Sequence, residues 1–215
     1  GADWYYDDVD SPFGGGASGP IIPDDATYQR TGVFLNWDVA LTERLDAVAG
    51  VRFEHAATTG TPLVAGIPVP VDANYQDWIG SVGLVYKLHP SVNLVGSISE
   101  GFRAPNLDDL MANNPNVLQQ GQSIPSLNLA PENSLSYEVG IKTDSERLRT
   151  ETFVFWTDLQ NNMVSITAAP NTFATANQDS FIHGVEFNGE LLLDDGWSLY
   201  GNCWYTSGKN QVTNQ

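Results

Sequence analysis

The 215-residue chain has few cysteines, few basic residues and no long apolar run. Cys203 is the only cysteine, so no intrachain disulfide can form. Nine Lys and Arg stand against 26 Asp and Glu, and the formal net charge of −17 opposes nucleic-acid binding. No stretch approaches the roughly 18 apolar residues that a membrane-spanning helix needs. Apolar residues still make up 41% of the chain, which is enough for one ordinary domain.

The sequence also lacks the short motifs of common enzymes. It has no Gly-x-Ser-x-Gly elbow, no phosphate-binding Gly-Lys loop and no His-Glu-x-x-His helix. The paired carboxylates Asp108-Asp109 and Asp194-Asp195 are typical of turns. The run Asp7-Asp8-Val9-Asp10 offers oxygen atoms but not the spacing of a calcium loop. We therefore predict no catalytic residue, no cofactor and no metal site.

Alternation of apolar and polar residues is the main positive signal. In the segment 45–54, Leu45, Ala47, Ala49, Val51 and Phe53 fall on one face of a strand, because side chains in a strand alternate with a period of two. We predict eight such strands, near 28–41, 45–56, 77–88, 92–102, 134–143, 147–158, 180–193 and 197–207. Their lengths suit tilted strands that cross a bilayer.

Short and long connections alternate between these strands. Tight turns are predicted at 42–44, 89–91, 144–146 and 194–196, and long connections at 57–76, 103–133 and 159–179. All tight turns therefore fall on one edge of an up-and-down sheet and all long loops on the other. That asymmetry is typical of outer-membrane barrels.

The predicted fold is an all-β, antiparallel, up-and-down transmembrane β-barrel segment of about eight strands. Residues 1–27 are interpreted as an external loop, 28–207 as strands and loops, and 208–215 as the start of another external loop. Threading eight strands through the pattern puts Gly1 and Gln215 on the long-loop edge. A finished barrel has its termini on the other edge, so we expect an incomplete barrel.

Charged and aromatic residues follow the same division between the two edges of the sheet. The opening segment and the three long connections hold eleven Asp and Glu but one basic residue, Arg103. This pattern fits a solvated acidic rim, or a mouth that favours cationic ligands or divalent ions. Aromatic residues lie near strand ends, as in the girdles of membrane barrels or simply as strands favour them: Trp37, Phe53, Trp78, Tyr86, Phe102, Trp156, Phe181, Trp197 and Tyr205.

An ordered series of short motifs carries a family resemblance. The series comprises Glu100-Gly101-Phe102-Arg103-Ala104-Pro105-Asn106-Leu107, then Leu127-Asn128-Leu129-Ala130-Pro131-Glu132-Asn133-Ser134, then Ser136-Tyr137-Glu138-Val139-Gly140-Ile141-Lys142, then Phe153-Val154-Phe155-Trp156-Thr157-Asp158-Leu159, and finally Ile182-His183-Gly184-Val185-Glu186. From about Thr27 to Tyr205 this order resembles the C-terminal half of the barrel of TonB-dependent outer-membrane receptors.

The resemblance implies a location in the outer membrane of a Gram-negative-type bacterium and active uptake of a scarce ligand, most simply a ferric siderophore or other metal chelate. It also implies four partners: outer-membrane lipid, a plug domain together with the remaining barrel strands, TonB acting through that plug, and the small transported ligand. Structural or ligand-pathway roles are expected for Phe102, Arg103, Ala104, Pro105, Pro131, Glu132, Tyr137, Glu138, Gly140, Gly184 and Glu186.

Several alternatives stay open on the sequence. A passive porin or small complete barrel is one, since eight strands can close. A soluble all-β binding domain is another, and it would bury its apolar face. Haem receptors of the resembling family often carry a histidine after the Phe-Arg-Ala-Pro box, whereas His55, His89 and His183 all lie elsewhere. The sequence therefore supports a haem ligand less well than a metal chelate.

Overall fold

The computed structural model describes residues 1–10, 21–113 and 121–210 and is almost entirely β-strand. Its elements in chain order are β1 (Ala2–Asp8), β2 (Thr27–Thr42), β3 (Leu45–Gly60), β4 (Leu63–Val64), β5 (Ile67–Pro68), β6 (Val71–His89), β7 (Val92–Arg103), α1 (Leu107–Met111), β8 (Gln122–Ser123), β9 (Glu132–Asp144), β10 (Leu148–Ala169), β11 (Thr172–Leu192) and β12 (Ser198–Asn210). No helix in these ranges is long and apolar enough to cross a membrane.

One sheet holds nearly every strand. Its order is β1-β2-β3-β6-β7-β9-β10-β11-β12, all neighbours are antiparallel, and only the short β8 joins in parallel, beside β11. Within the described ranges β1 and β12 form opposite, unjoined edges of the sheet. The prediction of an antiparallel, up-and-down, unclosed barrel segment is confirmed.

The strands are longer than predicted, and two of the three long connections are not loops. Strands β10 and β11 pair until Ala169 and Thr172, so 159–179 is an extended hairpin with a two-residue tip. Strands β3 and β6 likewise pair until Gly60 and Val71. The predictions were wrong because these extensions are rich in Thr, Asn and Ala, and apolar alternation within them is short. The connection at 103–133 is long, as predicted, and contains α1 and β8.

The opening segment was wrongly predicted to be only loop. Strand β1 pairs with β2 from Ala2–Val33 to Asp8–Thr27, so the described ranges contain nine long strands rather than eight. Gly1 exchanges backbone hydrogen bonds with Phe34, part-way along β2, so it does not lie on the long-loop edge. Residues 11–20 of this segment lie outside the described residues. The predicted position of Gln215 also lies outside them. Strand β12 continues through Asn210, so 208–210 is strand rather than loop.

From β2 to β11 the sheet has one mainly apolar and one mainly polar face, whereas on β12 the exposed Trp204 and Tyr200 lie on the polar side. Cross-strand register aligns the apolar side chains on a single face, where they are exposed: Val33, Leu35, Trp37, Trp78, Val82, Leu84, Tyr86, Leu94, Ile98, Tyr137, Val139, Ile141, Val154, Trp156, Val185 and Phe187. Val139, for example, is 68% exposed. The opposite face carries ion pairs, including Lys87 with Asp46 at 2.7 Å and Lys142 with Glu151 at 2.9 Å.

The main buried core of the described chain lies at the long-loop edge rather than within the sheet. Ala26, Leu107, Leu110, Met111 and Leu129 form it, and Leu110 and Met111 are completely buried. The sheet itself is a single layer, so neither of its faces is covered. The long connections thus fold together into a small structured mouth above the strands.

Candidate functional site: a cavity at the mouth of the sheet

A cavity of about 390 Å³ opens beside the mouth core on the polar side of the sheet. Strands β1 and β2 form one side of it, and the end of β7 with the start of α1 forms the other. Six polar or aromatic side chains contribute to its lining: Tyr5, Asp7, Tyr28, Arg103, Asn106 and Asp108. The cavity therefore joins the beginning of the chain to the Phe-Arg-Ala-Pro box.

The pairing of β1 with β2 places the aromatic wall of this cavity. Tyr5, Asp7 and Tyr28 share the polar face, because Asp7 is the register partner of Tyr28 and Tyr5 lies two residues before Asp7. The rings of Tyr5 and Tyr28 are 6.2 Å apart between centroids and tilted by 60°. Burial raises the pKa of Tyr28 above its ordinary value, so its phenol stays neutral at physiological pH.

Arg103 stands at the exit of β7 and is held by two carboxylates. Its guanidinium donates to Asp109 at 2.9 Å and lies 3.5 Å from Glu132. Glu132 in turn accepts the backbone N–H of Met163 at 3.2 Å. Arg103 thus connects α1, β9 and the β10–β11 hairpin, and its charge is compensated within the protein.

Helix α1 is short but well anchored. Asn106 and Asp109 form a reciprocal capping box, in which each side chain accepts the backbone N–H of the other residue. Met111 packs over Gly60, where an added Cβ would lie only 2.7 Å from the Met111 sulfur. The helix is therefore fixed by its cap at one end and by close packing against the tip of β3 at the other.

The rest of the 103–133 connection is tied to both extended hairpins. The hydroxyl of Tyr75 on β6 donates to the Leu129 carbonyl at 3.1 Å. Asn177 on β11 accepts from the Ala130 N–H and donates back to the Ala130 carbonyl. Burial raises the pKa of Tyr75, which keeps this hydroxyl a donor. The described residues of the connection that precede β9 are therefore a folded part of the mouth.

Part of the predicted motif comes together at this mouth. Arg103, Ala104 and Glu132 lie at or beside the cavity, and Pro105 is completely buried beneath it. The Pro105 carbonyl faces the hydroxyl of Thr58, at 3.5 Å. Pro131 directly precedes β9, where its fixed φ suits the entry to a strand.

The other predicted residues lie elsewhere on the sheet. Phe102 and Tyr137 follow the alternation of the apolar face, and Tyr137 is 42% exposed there. Glu138 and Glu186 lie on the polar face, nearer the tight turns. The structure therefore separates these four residues from the mouth cavity.

Gly140 and Gly184 share one structural role. Each lies opposite a phenylalanine of β10 on the polar face, Gly140 opposite Phe153 and Gly184 opposite Phe155. A Cβ at Gly184 would approach the ring of Phe155 to 2.7 Å, and a Cβ at Gly140 would overlap the ring of Phe153. Both glycines make room for an aromatic ring lying across the neighbouring strand.

Sequence reasoning missed the aromatic half of the cavity. Tyr5 and Asp7 lie in a segment interpreted as loop because glycine, proline and aspartate dominate it. The run Trp4-Tyr5-Tyr6 is rich in residues that favour strands, and that signal identifies β1. The described residues contain no group of three or more His, Cys, Asp or Glu suited to holding a metal ion, and this includes Asp7, Asp8 and Asp10.

Comparison with known proteins agrees with this geometry. The family model described as "TonB dependent receptor-like, beta-barrel" matches residues 1–215. A TonB-dependent heme receptor A from Haemophilus ducreyi is 28% identical over 120 residues. That match covers 53% of this chain and 16% of the relative.

Solved structures share the fold. The copper transporter OprC superposes with a TM-score of 0.72 at 18% identity, over 88% of this chain and 30% of OprC. The hemophore receptor HasR of Serratia marcescens gives 0.72 at 14% identity, over 89% of this chain and 35% of HasR. The alcaligin receptor FauA of Bordetella pertussis superposes with a TM-score of 0.62 at 18% identity, over 87% of this chain and 31% of FauA. The chain spans about a third or less of each relative's length.

Proposed function

This chain belongs to the TonB-dependent receptor β-barrel family, and from that premise we propose that it forms part of the wall of an outer-membrane receptor for a ferric siderophore or another metal chelate. Proteins of this family lie in the outer membrane of Gram-negative bacteria and act as receptors and transporters, not enzymes. The family resemblance inferred from the sequence is confirmed. The ligand and the partners of this chain are part of the proposal.

The two-faced sheet is the observation that carries the proposal. Apolar side chains such as Val139 and Trp78 are more than half exposed, and they line one face along the strands. Contact of such a face with water is unfavourable in free energy, whereas contact with lipid tails is not. The polar face with its ion pairs then lines the interior, and the mouth cavity lies at the outer end of that interior.

The partners follow from the same arrangement. Outer-membrane lipid contacts the apolar face, and the remaining barrel strands pair with the free edges of β1 and β12. A plug domain meets the polar face, and TonB acts on the receptor through that plug. The ligand is captured at the mouth, and energy-coupled movement of the plug then opens the interior path.

The competing functions fit less well. A soluble all-β binding domain would bury its apolar face, which is exposed here. The relative named as a heme receptor aligns over only 16% of its own length, and the stretch 103–130 of this chain contains no histidine. The names of three structural relatives give copper, iron and ferric yersiniabactin as their cargo, and these favour a metal or a metal chelate.

Iron-starved cells provide the test. We expect the full-length receptor that contains this segment to support uptake of a radiolabelled ferric trihydroxamate only when TonB and the proton gradient are intact. Removal of TonB should reduce uptake to the level of a receptor deletion. Uptake that persists without TonB would identify a passive pore, and uptake of haem alone would identify a haem receptor.

A further inference from the structure

We propose that the mouth cavity selects ligands that carry a positive charge and rejects anionic ones. This inference rests on the proposed function, because it names the charge class of the chelate for the same mouth. The sequence alone left open whether the acidic loops are only a solvated rim. The geometry around Arg103 and the two tyrosines favours a selective role.

The first argument is that Arg103 is already paired with carboxylates of the protein. It is the single basic residue of residues 1–27, 57–76, 103–133 and 159–179, the segments that hold eleven carboxylates. Its guanidinium lines the cavity but is engaged by Asp109 and Glu132. The carboxylates of Asp109 and Glu132 are mostly buried, with side-chain exposures of 17% and 18%, whereas the Arg103 side chain is 44% exposed. An anion entering the cavity therefore meets a guanidinium that is already paired with two carboxylates.

The second argument is the charge that remains in the lining. Asp7 and Asp108 both line the cavity, from opposite walls, and both are exposed. Within the described part of the chain neither carboxylate forms an ion pair with a basic side chain. Arg30 is the register partner of Tyr5 but does not line the cavity, and it lies 3.9 Å from Glu54. The lining thus carries two uncompensated negative charges and attracts cations.

The third argument is the aromatic wall. The rings of Tyr5 and Tyr28 are tilted against one another at 6.2 Å, on the same side as Asp7. A ring face attracts an ammonium or guanidinium group within about 6 Å of its centroid. Since the raised pKa of Tyr28 keeps its phenol neutral, the wall does not depend on ionised tyrosine. Rings beside carboxylates form a surface that suits an organic cation better than a hydrated metal ion.

Three forms of one ferric trihydroxamate test the inference. The first carries a free terminal ammonium group, the second is acetylated there and neutral, and the third is succinylated there and anionic. Binding is measured with the full-length receptor in outer-membrane vesicles at low and high salt. We expect the ammonium form to bind roughly tenfold or more tightly than the succinylated form, with the difference shrinking as salt rises.

Matched variants show which carboxylates cause the preference for positively charged ligands. The double variant D7N/D108N should bring the affinities of the ammonium and succinylated forms close together. D8N is the control, because Asp8 neighbours Asp7 but points to the other face of β1. Equal effects of D7N and D8N would show that only overall charge matters and would overturn the inference.

The outcomes separate the inference from the proposed function. If the succinylated form binds as tightly as the ammonium form, while TonB-dependent uptake persists, the charge selection is wrong and the receptor function stands. If none of the three forms binds or enters by a TonB-dependent route, the proposed chelate function fails, and the inference fails with it.

Discussion

The carboxylate of Glu100 accepts the backbone N–H of Gly80 at 2.8 Å, where strands β6 and β7 stop pairing. The last register pair at this end is Ser81 with Ser99, and beyond it β6 pairs only with β3 and β7 only with β9. A cavity of about 430 Å³ opens in this seam. A side chain therefore takes the place of a strand partner where the sheet separates.

Substitution of Glu100 tests whether its carboxylate takes the place of a strand partner. Glu100→Ala removes the acceptor of the Gly80 N–H at a partly exposed position, which should cost about 0.5–1.5 kcal/mol of stability. Glu100→Gln keeps a carbonyl oxygen and should cost less. Thermal unfolding of the full-length receptor in detergent and hydrogen exchange at the Gly80 amide measure the two effects. Slow exchange at Gly80 in the alanine variant would show that the carboxylate is dispensable.

The network around Arg52 gives a second prediction. Arg52 makes two hydrogen bonds to Asp3, at 2.7 and 2.9 Å, and one to Glu54 at 2.8 Å. Glu54 is only 7% exposed, so its charge depends on these partners. Arg52→Ala should destabilise the wall by about 1–3 kcal/mol, because Glu54 then keeps only Arg30, at 3.9 Å, as a cationic neighbour.

Asp3→Asn is the milder companion variant, since it removes the more exposed partner and leaves Glu54 paired. We expect it to cost much less stability than Arg52→Ala, because a solvent-exposed ion pair contributes little. The denaturant midpoints of both refolded receptors give the comparison. Equal losses for the two variants would mean that burial of Glu54 has no energetic weight.

Lipid contact of the apolar face is tested at Val139. Val139→Lys places a charge in the middle of the exposed apolar face and should cost about 2–4 kcal/mol in a bilayer. Ser97→Lys is the matched control, because Ser97 faces the polar side and is the register partner of Glu138. Folding into lipid vesicles under urea distinguishes the two. A large loss for Ser97→Lys and none for Val139→Lys would reverse the assignment of the faces.

The buried core under α1 provides a fourth prediction. Leu110 is completely buried, so Leu110→Ala should cost about 2–5 kcal/mol locally. Because the strands do not depend on this core, the barrel should remain folded while the 103–133 connection becomes susceptible to protease. Limited proteolysis followed by mass spectrometry identifies the cut sites. Loss of the whole barrel would contradict the view of the mouth as a separate unit.

Alkaline pH should loosen the same mouth. Burial raises the pKa of Tyr75 above its ordinary value of 10.0, so the folded state favours the neutral phenol. The stabilisation is fully present below pH 10 and is lost as pH rises through the raised pKa. Proteolysis of the connection between pH 8 and about 12 should show the change.

Tyr75→Phe separates ionisation from hydrogen bonding. The variant loses the bond to the Leu129 carbonyl and should be weaker by about 1 kcal/mol at neutral pH. It also lacks the ionisable group, so its protease sensitivity should depend less on alkaline pH. An unchanged pH profile would assign the effect to Tyr28 or to other groups.

The strands within the apolar band were predictable, since one face must be apolar at every second residue. Leu135, Tyr137, Val139 and Ile141 all lie on the predicted face of β9. The extensions beyond the band were not predictable in this way. From Asn162 to Ala169 on β10 the alternation is confined to Val164-Ser165-Ile166-Thr167, which is too short to distinguish a strand from a loop.

The mouth could be predicted only in part. The Phe-Arg-Ala-Pro box identified Arg103 and Pro105 through the family resemblance, and both lie at the mouth. Tyr5 and Tyr28 become neighbours through pairing between segments more than twenty residues apart in sequence. Helix α1 has only five residues, too few for a periodic signal.

The extended hairpin of β10 and β11 determines how far the protein reaches from the cell. About thirteen residues separate Trp156 from the end of β10 at Ala169. At about 3.3 Å per residue and a tilt of about 45°, the tip at Pro170-Asn171 stands roughly 30 Å above that tryptophan. In the proposed orientation this tip is among the first parts of the receptor that an antibody or a phage meets. If that orientation holds, we expect an epitope inserted at this tip to be readable on living cells and the same epitope at Pro90 to face the periplasm.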